Sequence, residues 1–212
     1  MTIKLKLVDP ISKIETNILT AIADELNYSL KKQIGTISSR IKTLIPMWIS
    51  KQPEIQSLLS TDSNSLIGQF GITSSPSYIV NSIISSVVNS TSISFSPYNK
   101  KLENGGITIN IQPDNFGNLL SLQEGHSLYS GGDLHWLDWL LNRGDENIVV
   151  GYYYNPQTGL GRSRLGNMKT GGSFRIPPEF SGTPGNNFIT RALLGPEQEN
   201  EITKIFKTIL GA

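Results

Sequence analysis

Residues 133–193 of this 212-residue chain contain its clearest local signals for secondary structure. They read DLHWLDWLLNRGD at 133–145, NIVVGYYYN at 147–155, PQTGLGRSRLGNMKTGG at 156–172 and SFRIPPEFSGTPGNNFITRAL at 173–193. These four parts predict, in order, a short helix, a strand, a glycine-rich basic loop and a closing apolar segment.

The first part predicts one short buried helix. Asp133 is expected as its N-cap, and Arg143 with Gly144 supplies a basic last turn followed by a C′ glycine. Between these ends, apolar side chains recur at helical spacing at Leu134, Trp136, Leu137, Leu140 and Leu141. We expect Trp136 and Trp139 to lie in the core.

The second part predicts a strand, because residues 148–154 are β-branched or aromatic and turn residues bound them. The next apolar cluster, 173–176, follows after roughly twenty residues, whereas hairpin loops usually have about two to five. We therefore expect a long connection that is functional, disordered or braced by a partner.

That connection is glycine-rich and basic. Residues 159–166 (GLGRSRLG) lack the Walker spacing, and no helical apolar pattern follows them, so a phosphate-binding loop is not predicted. Arg162, Arg164 and Lys169 lie in the connection with few acids, and Arg175 follows. Three interpretations stay open: a solvated surface loop, a contact with an acidic partner, or a contact with nucleic-acid backbone in a pore, where symmetry multiplies the charge.

The N-terminal region, about residues 1–90, is expected to be mostly helical. Apolar residues between Ile11 and Leu44 recur in steps of three and four. They predict one long amphipathic helix, or two collinear helices hinged at Gly35, with Ser12 as N-cap and an end before Pro46. Such a helix either lies across a sheet or projects toward neighbouring subunits.

Further helices are predicted from periodicity and from prolines at helix starts. Pro53 opens a short helix, residues 78–88 form another that begins near Pro76, and Pro196 opens the C-terminal helix. Residues 114–123 are expected to form a helical turn or a short helix.

The region of about residues 91–212 is expected to contain the sheet. Residues 91–95 and 106–111 alternate apolar and polar side chains across a polar loop, which predicts two antiparallel strands. Helices come first and strands with interspersed helices follow, without regular alternation. This order predicts a single α+β domain over residues 1–212, in which the helices pack on a mostly antiparallel sheet.

Composition narrows the function classes. The formal net charge of +1 gives no global attraction to nucleic acid or anionic membranes, so any basic function is expected to be local. The chain has no cysteine, which excludes disulfides and thiolate metal sites. The N-terminal MTIKLKLVDP has no signal-peptide core, and no apolar run approaches the roughly 20 residues that span a bilayer. We expect neither standard secretion nor a membrane contact.

Candidate catalytic residues are few. The two histidines are His126, in a Gly/Ser stretch, and His135, inside the predicted helix, where we expect it to satisfy a hydrogen bond and not to hold a metal. The sequence has no GxSxG elbow, no HExxH pair and no cysteine nucleophile. We therefore expect no catalytic residue, no metal and no cofactor.

A resemblance to a known class rests on five motifs within residues 130–195. They are LDWLL (137–141), GD (144–145), GRS (161–163), FRIPPEF (174–180) and NNFITRAL (186–193). Together they resemble the C-terminal half of virion proteins of tailed bacteriophages in the neck or tail-completion (tail terminator-like) class, and the N-terminal region resembles that class only loosely. In that class a proline-rich segment, an aromatic residue and an arginine precede the last helix, as Pro177, Pro178, Phe188 and Arg191 do here.

The resemblance implies an α+β subunit that forms a ring, often a hexamer, between the head connector and the tail tube. Its partners would be further copies of the chain and the neighbouring neck and tail-tube proteins, with non-specific contact to packaged DNA as an open option. Its location would be the virion, assembled in the host cytoplasm. Arg162, Arg164, Lys169 and Arg175 would then line the channel or the subunit interface.

Two other function classes stay open. An enzyme acting on cell-wall or glycan polymers would use Glu124 or Glu179 as general acid, and Trp136 and Trp139 as a sugar platform. It would need two carboxylates facing each other across a cleft. The other class is a plain nucleic-acid-binding module, against which the near-neutral charge argues unless binding is confined to an assembled pore.

Overall fold

The computed structural model of the chain describes residues 8–129, 131–157, 159 and 161–211. The N-terminal MTIKLKL, where no signal-peptide core is expected, and Leu160 of the basic loop lie outside the described residues. The α-helices are α1 Ile11–Ser50, α2 Pro53–Leu59, α3 Leu66–Gln69, α4 Pro76–Ser90, α5 Gly117–Leu120, α6 Trp136–Leu141, α7 Phe188–Leu193 and α8 Pro196–Leu210, with a 3₁₀ turn at Gln123–Gly125. The strands are β1 Ser92–Ser96, β2 Gly106–Asn110, β3 Ser127–Tyr129, β4 Gly132–Leu134, β5 Asn147–Asn155 and β6 Asn167–Arg175.

Helix α1 is a single helix of 40 residues, about 60 Å long at 1.5 Å per residue. It passes through Gly35 without a hinge, so the alternative of two collinear helices is wrong. The predicted end before Pro46 is also wrong, because the buried side chains of Ile45, Trp48 and Ile49 pack on both sides of the proline and compensate for its missing N–H. Pro10, and not Ser12, precedes the first turn.

The core is one apolar cluster to which both the N-terminal helical region and the later elements contribute. Its largest fully buried side chains include Trp48, Trp136 and Phe188. Trp136 thus lies in the core as expected, whereas Trp139 is partly buried at the edge, where the Arg143 guanidinium stacks 5.1 Å from the ring centroid. The cluster contains only the C-terminal part of α1, beginning at Leu44 and Ile45.

A buried ion pair joins α2 to α7. The Glu54 side chain is fully buried, and its Oε1 accepts a hydrogen bond from the Arg191 guanidinium, which also donates to Asn186 Oδ1 at 3.1 Å. The other carboxylate oxygen, Oε2, has no hydrogen-bond partner among the described residues. Asn187 caps α7 and donates to the Leu141 carbonyl at 3.2 Å, which ties α7 to α6. Arg191 therefore connects α7 to α2 through the Glu54 carboxylate.

The strands of the described residues form three separate two-stranded antiparallel sheets. The α+β class and the antiparallel pairing are confirmed, although the strands are divided among hairpins and do not form one sheet. The β1–β2 pair, with Phe95 opposite Ile107, matches the predicted strands within one residue. Hairpins fit this chain because its large helical cluster buries the core without a continuous sheet.

Hairpin β3–β4 was not predicted. Leu128 pairs with Asp133, and the turn between these strands contains Gly131. Asp133 is consequently a strand residue, and the expectation that it caps the following helix is wrong. Helix α6 begins at Trp136, with His135 at its N-cap position.

Hairpin β5–β6 confirms the predicted strand at Asn147–Asn155, but its partner begins at Asn167. The connection is therefore residues 156–166, much shorter than expected. The start of β6 was missed because NMKTGG has little apolar alternation. Gly151, Gly171 and Gly172 all have positive φ where the register shifts, and such a bulge bends and twists a strand pair.

No helix in the described part of the chain is both long enough and apolar enough to cross a membrane.

Candidate functional site: assembly surfaces and a polar cleft

The first half of α1 exposes an apolar stripe, which we call the helix stripe and which consists of Ile11, Ile18, Ile22 and Leu26. Their exposed fractions run from 38% at Leu26 to 70% at Ile11. The spacing of seven and then four residues places all four on one side of the helix. A single exposed apolar side chain is ordinary, but several large aliphatic side chains on one side of a helix mark a contact surface.

A different side of the same helical segment is already covered. Ala23 is buried, and the Asn27 side chain makes two hydrogen bonds to the Tyr98 backbone, donating to its carbonyl at 2.9 Å and accepting from its N–H at 2.7 Å. The β1–β2 hairpin thus holds this segment in place. The helix stripe therefore stays exposed on a helix that the β1–β2 hairpin holds in place.

The two halves of α1 carry the same periodic pattern but have different surroundings. Ile37, Ile41 and Ile45 of the second half are fully buried, whereas the four residues of the helix stripe in the first half are exposed. The sequence left two options, a helix lying across a sheet or one that projects toward neighbours. The first half of α1 extends beyond the core cluster, which is what the second option requires.

The β5–β6 hairpin, which we call the arm, exposes apolar side chains on both of its faces. Val150, Tyr152, Tyr153 and Met168 have exposed fractions from 40% at Met168 to 75% at Val150. Because the arm has only two strands, each of them has one edge that pairs with no further strand of the described residues. Aromatic residues and methionine are the side chains enriched where proteins meet.

The arm is anchored at both of its ends. At the loop end, the Tyr154 hydroxyl donates to the Ser63 carbonyl, and at the other end Phe174 is buried. The Tyr154 and Phe174 rings lie 6.3 Å apart across the bent hairpin. The exposed apolar residues in the middle of the arm are therefore held on a defined frame.

The basic loop, residues 156–166, is seated on α3. Leu165 packs against the core cluster and Gly166 is buried. A side chain at Gly68 would meet Leu165 Cβ at 3.1 Å and the Ser63 carbonyl at 2.9 Å, so α3 and the loop touch closely only because residue 68 is glycine. The connection, expected to be functional, disordered or braced by a partner, is held in place by contacts with its own chain.

The four basic residues expected at a channel or interface do not converge on one point. Arg162 lines a cleft described below, and Arg164 is exposed on the loop with a φ of 64°. Lys169 is exposed on the arm opposite Tyr153, and Arg175 lies at the base of the arm, 3.5 Å from the Asp145 carboxylate. They share one segment, 147–175, that contains no acidic residue.

A polar cleft of about 600 Å³ lies between the segment after α3 and the β3–β4 hairpin. The polar and ionisable side chains that line the cleft include Gln123, His126, Asp133 and Arg162. His126 Nδ1 lies 2.7 Å from the Asp133 carboxylate, an ion pair when the imidazole is protonated. The glycine pair at 131–132, between Leu128-Tyr129 and Leu134, was the sequence signal that could have placed these residues together.

His135 stacks behind His126, with ring centroids 4.0 Å apart and planes 13° from parallel. Its Nε2 is buried and has no hydrogen-bond partner within the described ranges, so the expectation that His135 satisfies a hydrogen bond is not met at this atom. Burial lowers the pKa of His135, and the neighbouring His126 lowers it further, which outweighs the nearby aspartates. His135 is therefore held neutral.

Two of the expected glycan-hydrolase residues, Glu124 and Trp136, are poorly placed for that chemistry. Glu124 accepts hydrogen bonds from its own backbone N–H, from Tyr78 and from Ser82, and these lower its pKa, whereas a general acid needs a raised one. Trp136 is fully buried and presents no platform to a sugar. Within the described ranges, no group of three or more His, Asp or Glu residues could hold a metal ion.

Comparison of the chain with protein-family models, with curated proteins and with solved structures finds no match. The proposed function therefore rests on the surfaces, contacts and charges of the chain and on the resemblance of residues 130–195.

Proposed function

We propose that this chain is a structural subunit of a tailed-bacteriophage virion. Copies of it form a ring at the head-to-tail neck or at the top of the tail, as a tail completion, tail terminator or connector protein, and the ring surrounds the DNA channel. The observation that carries the proposal is the helix stripe, an apolar surface on a braced helix that extends beyond the core. The subunit acts by assembly and not by catalysis.

The helix stripe and the arm are two separate apolar surfaces on a chain of only 212 residues. Apolar area left in water costs free energy roughly in proportion to its size, and covering both surfaces by neighbouring copies removes that cost. A closed ring covers them on every copy and leaves no unpaired end. Six copies is the number that the resemblance of residues 130–195 implies.

The basic residues suit a ring that conducts DNA. Arg162, Arg164 and Lys169 are exposed on each subunit, and the ring repeats them once per copy. A chain with a net charge of +1 binds DNA weakly alone, whereas a ring gathers the local cations around one axis. The neighbouring neck and tail-tube proteins would contact the two faces of the ring.

Electron microscopy of the purified protein tests the proposal, together with immunogold labelling of particles of the phage that encodes it. We expect ring-shaped particles with a central opening, and gold label at the junction of head and tail. Particles no larger than one folded chain, together with virions that carry no label, would overturn it.

A further inference from the structure

We infer that the ring closes through a contact between the helix stripe of one copy and the arm of the next copy. This inference rests on the proposed function and names its subunit interface. The occupant of the helix stripe is thus a second copy of the same chain, through its segment 147–175.

The two surfaces carry opposite charge. Residues 9–26 contain Asp9, Glu15, Asp24 and Glu25 against the single Lys13, which gives 1 − 4 = −3. Segment 147–175 contains the four basic residues Arg162, Arg164, Lys169 and Arg175 and no acid, which gives +4. A chain with a net charge of only +1 therefore separates its charges onto two surfaces, and such complementarity selects and orients partners.

The acids also lie on the relevant side of α1. At about 100° per residue, Glu15 lies in the helix stripe between Ile11 and Ile18 and Glu25 lies at its edge, whereas Asp24 points away from it. On the far side, Lys13 makes an ion pair with Asp9 at 2.8 Å. The charged residues beside the helix stripe in its segment are thus both acidic, and both are exposed.

The arm offers the matching surface. Lys169 pairs across the arm with Tyr153, and both side chains are exposed among the apolar residues of the arm. Directly opposed residues share a face of a hairpin and consecutive residues alternate, so Tyr153 and Lys169 lie on one face and Tyr152 and Met168 on the other. The aliphatic stripe with its carboxylates thus faces the Tyr153 ring with the Lys169 ammonium group beside it. Lengths also match, because residues 11–26 span about 24 Å of helix and the nine residues of β5 span about 30 Å or less when bent.

The pairing of unlike surfaces explains why the assembly closes as a ring. Each copy has one helix stripe and one arm, so every copy uses both, and such head-to-tail contacts form a ring when the rotation closes. Two helix stripes facing each other would place Glu15 and Glu25 against their own copies. Like charges across an interface are unfavourable, so this twofold dimer is disfavoured.

Adjacent acidic residues of α1 provide a matched test. Glu25→Lys reverses a charge beside the helix stripe, and Asp24→Lys makes the same change on the opposite side. In sedimentation experiments at low salt, we expect Glu25→Lys to weaken association at least about fivefold and Asp24→Lys to change it less than about twofold. Circular dichroism verifies that both variants fold, as both positions are exposed.

Charge reversal on the arm provides the reciprocal test. Lys169→Glu combined with Glu25→Lys should recover most of the lost association, whereas Lys101→Glu, the same change in the β1–β2 loop, should not. If wild-type protein assembles and the two α1 variants behave alike, the interface is wrong and the ring proposal stands. A wild-type chain that never assembles overturns the proposed function, and this interface with it.

Cross-linking distinguishes the possible occupants of the helix stripe, because the chain has no cysteine of its own. Mixing an Ile22→Cys chain with a Tyr153→Cys chain under oxidising conditions should give a disulfide between unlike chains. A dominant disulfide between two Ile22→Cys chains would overturn the inference in favour of a twofold dimer. Rapid maleimide labelling of Ile22→Cys in the assembled ring would also overturn it, since the helix stripe would then be uncovered.

Discussion

Removing the positive charge of the buried Glu54–Arg191 pair should be among the most damaging single changes in this chain. The Glu54 side chain is fully buried, and its Oε2 has no partner among the described residues. Arg191→Met leaves that carboxylate buried without a counter-charge, which typically costs about 3–5 kcal/mol. The Arg191 side chain is 36% exposed, so water screens the pair and we expect about 3 kcal/mol. For a chain of this size, that lowers the melting temperature by roughly 6–12 °C.

Urea denaturation followed by tryptophan fluorescence measures this loss, because Trp48 and Trp136 are buried in the core. It should be repeated at several protein concentrations, since association with other copies raises the apparent stability. The matched control is Glu54→Met/Arg191→Met, which removes both charges and keeps the volume. A buried ion pair replaced in this way is often neutral in stability, so the double variant should lie close to wild type.

Two results would refute this reasoning. The first is a loss below about 1 kcal/mol for Arg191→Met, which would mean that water or a neighbour already compensates Glu54. The second is a double variant no more stable than the single one, which would mean that the arginine acts through packing and not through its charge.

Three further predictions concern the loop, the cleft and the core. The double variant Arg162→Ala/Arg164→Ala should keep wild-type thermal stability, because both side chains are exposed. It should nevertheless impair assembly or genome retention. An unfolded variant would show that these side chains support the core. The pKa of His135 is lower in the folded state than in the unfolded chain. The free energy of unfolding should therefore be highest above about pH 6.5 and should decrease as the pH falls through the folded-state pKa of His135. His135→Gln should flatten that decrease in pH-dependent melting curves, and an unchanged curve would contradict the assignment. Phe188→Ala should cost about 3–5 kcal/mol in denaturant unfolding, since the ring is fully buried; a loss below about 1 kcal/mol would show that the site collapses around the smaller side chain.

The sequence predicted those elements whose signals are local. Periodic apolar residues and prolines at the first helical position predicted α4 and α8, and β-branched and aromatic residues predicted β5. The prediction that α1 ends before Pro46 was wrong because the effect of this proline depends on tertiary packing around Trp48. The local sequence does not reveal that packing. Strand β6 was missed because glycines occupy the positions where an alternating pattern would show it.

The candidate sites were less predictable because they join distant residues. Glu54 and Arg191 are 137 positions apart, and only the packing of α2 beside α7 brings them together. His126 and His135 stack because a three-residue strand on each side of a glycine turn folds back on itself. The helix stripe is a different case. The periodicity of α1 was visible in the sequence, but only the structure shows that the residues of the helix stripe are left exposed.

Native mass spectrometry of the purified wild-type protein shows whether the copies close into a ring. We expect one dominant species at a whole-number multiple of 23.3 kDa, with six copies giving about 140 kDa. A chain that stays at 23.3 kDa as its concentration is raised, or an open ladder of sizes without a closed species, would contradict the proposed ring.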